Sequence, residues 1–136
     1  MNGTIILIDD DHGPMEYYVE ALRSRGFAVI HIDSADKAFE WLEDRGTKEP
    51  DLVIVDIMMP PGSRLTLEET NRGLWSGVFI ARAVRDKFPG LPLVGLTNKP
   101  SDDVGEKLPV GTPMKAKFEI NPFAFAEFVA QNLNRT

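Results

Sequence analysis

Cysteine is absent from the 136-residue chain, which excludes disulfides, thiolate metal sites and cysteine nucleophiles together. Histidine is nearly as scarce. The two present, His12 and His31, are too few for a histidine-built zinc centre, and both are expected at the surface rather than as ligands. Cations are outnumbered, 15 Lys and Arg against 21 Asp and Glu, for a formal net charge of −6. Affinity for a phosphate backbone rests on clustered Lys and Arg, so no direct nucleic-acid partner is expected. No apolar run approaches the ~18 residues that span a bilayer, and the first residues show no basic stretch leading into a signal-type apolar segment. No membrane insertion is expected, and the protein is expected to be soluble and cytoplasmic. Chemistry is left to oxygen ligands, amines and hydroxyls.

What the chain does have is an alternation of short apolar runs with amphipathic segments. That pattern belongs to a parallel sheet covered by helices on both faces. Strands are predicted over residues 4–8, 28–32, 52–55, 93–96 and 114–116, short and mostly aliphatic, as doubly buried strands are. Helices are predicted over 14–25, with Pro14 at the first helical position and Gly26 as the stop, and from an N-cap at Ser34 to Leu42. Three more are predicted over 77–88, 101–108 and 121–133, the last capped by Asn121 with Pro122 in its first turn. With 43% hydrophobic content, one compact α/β domain over 1–136 is expected.

The chemistry gathers at strand ends. In "IILIDDDHG", residues 5–13, an apolar run stops on Asp9, Asp10 and Asp11. Two like charges ~4 Å apart cost about 4 kcal/mol at an effective dielectric of ~20, so something must neutralise them. Ligands of an open parallel sheet bind beyond the carboxyl ends of the strands, and there the other strands deliver Asp56 ("LVIVDIMMP"), Thr97 ("VGLTN") and Lys115 or Lys117 ("KAKFEINP"). Carboxylates, a hydroxyl and an ammonium on one rim make a seat for a hard divalent cation, and Mg2+ suits a site that keeps several waters and phosphate oxygens.

These motifs, in this order, resemble the receiver domain of bacterial response regulators, the phosphate-accepting half of two-component signalling. The resemblance implies a flavodoxin-like five-stranded parallel sheet in the order 2-1-3-4-5 with five helices. It implies a metal-binding acid pair at Asp9 and Asp10, the phosphoacceptor at Asp56, the switch threonine at Thr97 and the lysine at Lys117, with Lys115 competing. Mg2+ is then held by Asp9, Asp10, Asp56 and the backbone carbonyl of Met58, and the donor is a histidine kinase or His-phosphotransfer protein. The sequence departs from the family where Phe118 replaces the proline after the lysine, which leaves a cis or trans Lys117–Phe118 bond open. Met114 stands near the position of the family's fifth-strand aromatic.

Three other functions make different demands on these residues. An aspartyl-phosphate hydrolase of the haloacid dehalogenase type expects a second acid two residues after the nucleophile, where this chain has Met58. A flavin carrier expects a Gly/Ser/Thr-rich first loop, which three aspartates would spoil. A phosphorylation-independent interaction module keeps the fold without the chemistry. Two further expectations concern surfaces. On the last helix, Phe125 and Val129 suit the core, whereas Phe123 and Phe128 fall off the stripe and are expected either as edge packing or, with the neighbouring fourth helix and fifth strand, as a partner or homodimer face. The long segment "PPGSRLTLEETNRGLWSG", residues 60–77, exceeds the usual two to six residues of such a junction. Its stretch 61–76 is expected to fold back on the third helix through Trp75 or its leucines, covering Phe79 and forming a wall beside Asp56. Arg64 and Arg72 are offered toward an acidic partner or the phosphoryl group.

Overall fold

The computed structural model describes residues 3–98 and 102–133. Five strands, β1 (Thr4–Ile8), β2 (Ala28–Ile32), β3 (Leu52–Asp56), β4 (Leu93–Thr97) and β5 (Met114–Ala116), form one sheet in the order β2-β1-β3-β4-β5. All pairings are parallel, with Ile6 beside both Ile30 and Val53, Ile54 beside Val94, and Leu96 beside Lys115. Five helices alternate with them: α1 (Glu16–Ser24), α2 (Ala35–Glu43), α3 (Ser76–Lys87), α4 (Asp102–Lys107) and α5 (Pro122–Leu133). The architecture is the flavodoxin-like one expected.

Strand periodicity divides the core. Ile6, Ile8, Val53 and Val55 point to the face packed by α2, α3 and Val104 of α4. Ile5, Leu7, Leu52, Ile54, Val94 and Leu96 point to the other face, packed by α1 and α5. With both faces covered, every residue of β3 and β4 is buried, which is why these strands read as unbroken apolar runs.

The boundaries differ from expectation in ways that bear on the rim. β3 and β4 each run one residue further, so Asp56 and Thr97 are terminal strand residues rather than loop residues; the Ile57 amide continues the ladder by donating to the Leu96 carbonyl at 2.9 Å. α1 begins two residues later than predicted, because the Glu16 amide closes a turn on the Gly13 carbonyl and Pro14 lies in that turn. The Ser34 hydroxyl caps α2 by accepting from the Lys37 amide, and the Asn121 side chain accepts from the Ala124 amide at the start of α5. Ser101, predicted at the start of the fourth helix, lies outside the described residues. Along α5, Phe125 and Val129 are fully buried and Phe123 is 77% exposed, as the periodicity requires. For Phe128 the structure favours edge packing over a partner face: it is half-buried against the α1–α5 core, 6.4 Å from the Phe125 ring, with the Lys115 ammonium 4.6 Å over its face.

Candidate functional site at the carboxyl edge of the sheet

β1, β3, β4 and the turn after β5 bring Asp9, Asp56, Thr97 and Lys117 to one edge. All four are buried: Asp9 is 0% exposed, Asp56 2% and Lys117 6%. The Lys117 ammonium lies 3.0 Å from Asp9 Oδ2 and 3.2 Å from Oδ1, and 3.4 Å from Asp56 Oδ2. Lys115, one pleat back, instead covers Phe128. The Lys117–Phe118 bond is trans, and Phe118 takes a positive φ of 66°. The Lys117 amide donates to the Thr97 carbonyl at 2.7 Å, so the lysine leaves the sheet beside the threonine.

Oxygen atoms of Asp9, Asp10 and Asp56 all come within 4.8 Å of one another, with Asp10 exposed at the mouth. Backbone amides supply part of the neutralisation: Asp11 donates to Asp9 Oδ1 at 2.8 Å, and Met58 donates to Asp56 Oδ1 at 3.3 Å. Asp9 Oδ2 receives no well-aligned hydrogen bond although it is buried and close to Lys117. One ammonium thus serves two buried carboxylates. Burial pushes the Asp56 carboxyl up to about 8, and the charge of Asp9 adds to it against the opposing pull of Lys117. Burial likewise raises Asp9, against the Asp11 amide and Lys117. For Lys117, burial alone would lower the ammonium, but the charges of Asp56 and Asp9 outweigh it and hold it above the ordinary amine range.

Three features of the site's surroundings escaped the sequence reading. His31 is half-buried beside the rim, where it donates to the Asp9 carbonyl at 2.7 Å, and its ring centroid lies 4.5 Å from that of His12, which pairs with Asp33. β2 pairs with β1, so the contact joins residues 22 apart that no local pattern connects. Gly77 packs its Cα against the backbone of Asp56, and its amide donates to the Ile57 carbonyl. Tyr18, which reads as one more core residue of α1, extends its hydroxyl to the turn after Lys117.

The long loop departs from its expected course. Its first half is fastened to α2, not α3: Asp36 Oδ1 accepts from the Ser63 amide and hydroxyl, and Arg64 is ion-paired with Glu43. Its second half is self-braced, with Thr66 and Glu69 exchanging side-chain-to-amide hydrogen bonds and the Ser76 hydroxyl donating to the Met59 carbonyl. Trp75 packs into the α2–α3 face with the Lys107 ammonium 4.6 Å from its ring, and Phe79 carries the Arg82 guanidinium at 6.0 Å. Leu67 and Leu74 remain exposed. Asn71, Leu74 and Trp75 form one side of a cleft of about 300 Å3 whose other lining includes Met58, Thr97 and Val104.

Among the described residues no helix is long and apolar enough to cross a membrane. A family model for the response regulator receiver domain matches residues 5–111. The probable transcriptional regulatory protein SilR of Salmonella typhimurium is 31% identical over 128 residues, covering 93% of this chain and 48% of its own length. The chain therefore spans about half of that curated relative. Among solved structures, a response regulator receiver protein from Sinorhizobium medicae superposes with a TM-score of 0.76 at 23% identity, over 97% of this chain and 94% of that one. The BeF3-activated receiver domain of DrrB gives 0.71 at 22% identity, over 99% and 100%. A match running from β1 to the turn before β5, on a fold shared with solved receiver domains, settles the kinship of the acid rim: the chain belongs to the response regulator receiver domain family.

Proposed function

We propose that Asp56 accepts a phosphoryl group from a histidine kinase or His-phosphotransfer protein and that the aspartyl phosphate is the signal. The observation that carries this reading is the buried Lys117 ammonium set between Asp9 and Asp56 at the ligand-binding edge of the sheet. The donor set is hard oxygen throughout, three carboxylates gather around a single ammonium, and the buried Asp9 Oδ2 receives no hydrogen bond, so the rim fits Mg2+. Asp9, Asp10, Asp56 and the Met58 carbonyl would hold the ion. Bound there, it supplies charge neutralisation to the phosphoryl oxygens.

The protein's own groups do the rest. An Asp56 carboxylate oxygen attacks phosphorus in line as the donor's phosphorus–nitrogen bond breaks, and the donor imidazole leaves. Lys117 pairs with one phosphoryl oxygen and the Thr97 hydroxyl donates to another. Attack of water on the same phosphorus releases inorganic phosphate and restores the free carboxylate. The chain thus turns over its own phosphate without acting on a separate substrate. The added charge draws Thr97 inward and biases the surface around α4 and β5, changing affinity for a downstream partner. Phe123, exposed beside Tyr17 and Glu20 of α1, offers a separate apolar contact for a partner or a second copy.

The test is incubation with acetyl phosphate and Mg2+ followed by intact-protein mass. The parent should gain one phosphoryl increment, and neither the Asp56→Asn variant nor the parent in EDTA should gain it. Labelling in either control overturns the assignment.

A further inference from the structure

We infer that Tyr18 is a positioning residue for Lys117: its buried hydroxyl clamps the turn that carries the ammonium to Asp9 and Asp56. This role rests on the phosphoacceptor reading above. Tyr18 is 4% exposed, yet its phenol is not idle in the core. The hydroxyl accepts from the Phe118 amide at 3.2 Å and donates to the Ile120 carbonyl at 2.7 Å. One group on α1 therefore holds both ends of a turn about a hundred residues further along.

The turn needs holding. Lys117 is tied to the sheet through its amide and the Thr97 carbonyl, but the very next residue, Phe118, sits at φ 66°, a region that side chains with a Cβ disfavour. No proline ring restricts the backbone after the lysine, so the direction in which Lys117 leaves β5 depends on what fixes residues 118–120. The Tyr18 ring is itself rigidly placed. It stands edge-on to Phe125 at 5.4 Å and to Phe118 at 6.0 Å, and its neighbours Val19 and Leu22 lie in the same core face. A rigid aromatic with two hydrogen bonds to the main chain on either side of a strained turn is a clamp, and the side chain it aims is the lysine immediately before that turn.

The discriminating variant is Tyr18→Phe, which keeps the ring and removes the hydroxyl. Exchange of the Phe118 amide should speed up while core amides such as Ile54 keep their protection. Single-turnover labelling of Asp56 by acetyl phosphate at saturating Mg2+ should slow by about tenfold, the scale set by one lost hydrogen bond. In a Lys117→Met background, which keeps the length of the stem, the same substitution should change the labelling rate by less than about twofold, because a clamp has nothing left to aim. An equal loss in both backgrounds would make Tyr18 a structural residue only, and an unchanged Phe118 exchange rate would remove the clamp. A parent protein that takes no label at all would instead overturn the phosphoacceptor reading, and the lysine's role with it, whatever the exchange data show.

Discussion

A methyl group placed on Gly77 would stand 2.1 Å from the Asp56 carbonyl oxygen and 2.5 Å from the Ile57 Cα. The first turn of α3 is thus pressed against the backbone of β3 where it ends at Asp56, and both obstacles are main chain. Neither can step aside as a side chain would. Gly77→Ala is expected to cost about 2–4 kcal/mol, at the upper end of single substitutions, and to slow Asp56 labelling more than an equal destabilisation elsewhere. Ile80→Ala, at a fully buried position of the same helix, costs about 2–5 kcal/mol and serves as the stability-matched control. Equal labelling rates in the two variants would show that the contact supports the fold and not the site.

The strands were legible because their residues alternate between two covered faces, and the acids because they end those strands. Asp56 and Thr97 were expected just past β3 and β4, one residue off, since an apolar run does not tell where ladder pairing stops. Pro14 was misplaced because a turn closing on the Gly13 carbonyl competes with helix initiation. The anchors of the long loop were illegible for a different reason. Ser63 reaches Asp36 across 27 residues through polar groups, and polar pairing leaves no periodic trace. The same holds for His31 on the Asp9 carbonyl and for the Tyr18 hydroxyl.

Two buried carboxylates on one ammonium make the metal-free rim a stability liability. Asp56→Asn removes one charge and leaves Asp9 paired with Lys117, so in EDTA it should raise stability by about 1–4 kcal/mol. The gain should depend on pH. An acid held up to about 8 in the folded chain keeps its proton while the unfolded chain loses it, so the parent's stability falls as pH rises from near 4 to near 8 and then levels. The difference between parent and variant should grow over that window. Thermal melts in EDTA at several pH values check this, and a variant less stable than the parent at pH 8 would contradict it.

Proton and cation compete for the same oxygens. Below about 8, where Asp56 holds its proton, Mg2+ must displace it, so apparent Mg2+ affinity should rise with pH by up to about tenfold per unit and flatten above. Calorimetry in two buffers of different ionisation enthalpy would show the released proton directly. Affinity that is flat from pH 6 to 8, with no proton release, would mean that Asp56 carries no proton for the ion to displace.

The loop after β3 is fastened at one end by Asp36 on α2 and, through Ser76 and the Met59 carbonyl, at the other, while Asn71, Leu74 and Trp75 overlook the cleft that includes Thr97. Nothing in that arrangement touches Lys117 or Asp9, so the loop should govern access rather than chemistry. Exchanging residues 62–74 for a short Gly-Ser link should leave a folded domain that takes phosphate from a small donor at about the parent rate, since small donors need no wall. The rate from a protein donor, or the lifetime of the aspartyl phosphate, should change several-fold. Asp36→Ala is the milder version: it removes the acceptor of both Ser63 hydrogen bonds and should shift the same protein-donor rate in the same direction, by less, with no effect on acetyl phosphate. The Arg64–Glu43 pair is exposed and worth little by itself, so Glu43→Gln should change neither. If the exchanged loop leaves protein-donor rate and phosphate lifetime at parent values, the insertion is passive and the side it gives the cleft has no function.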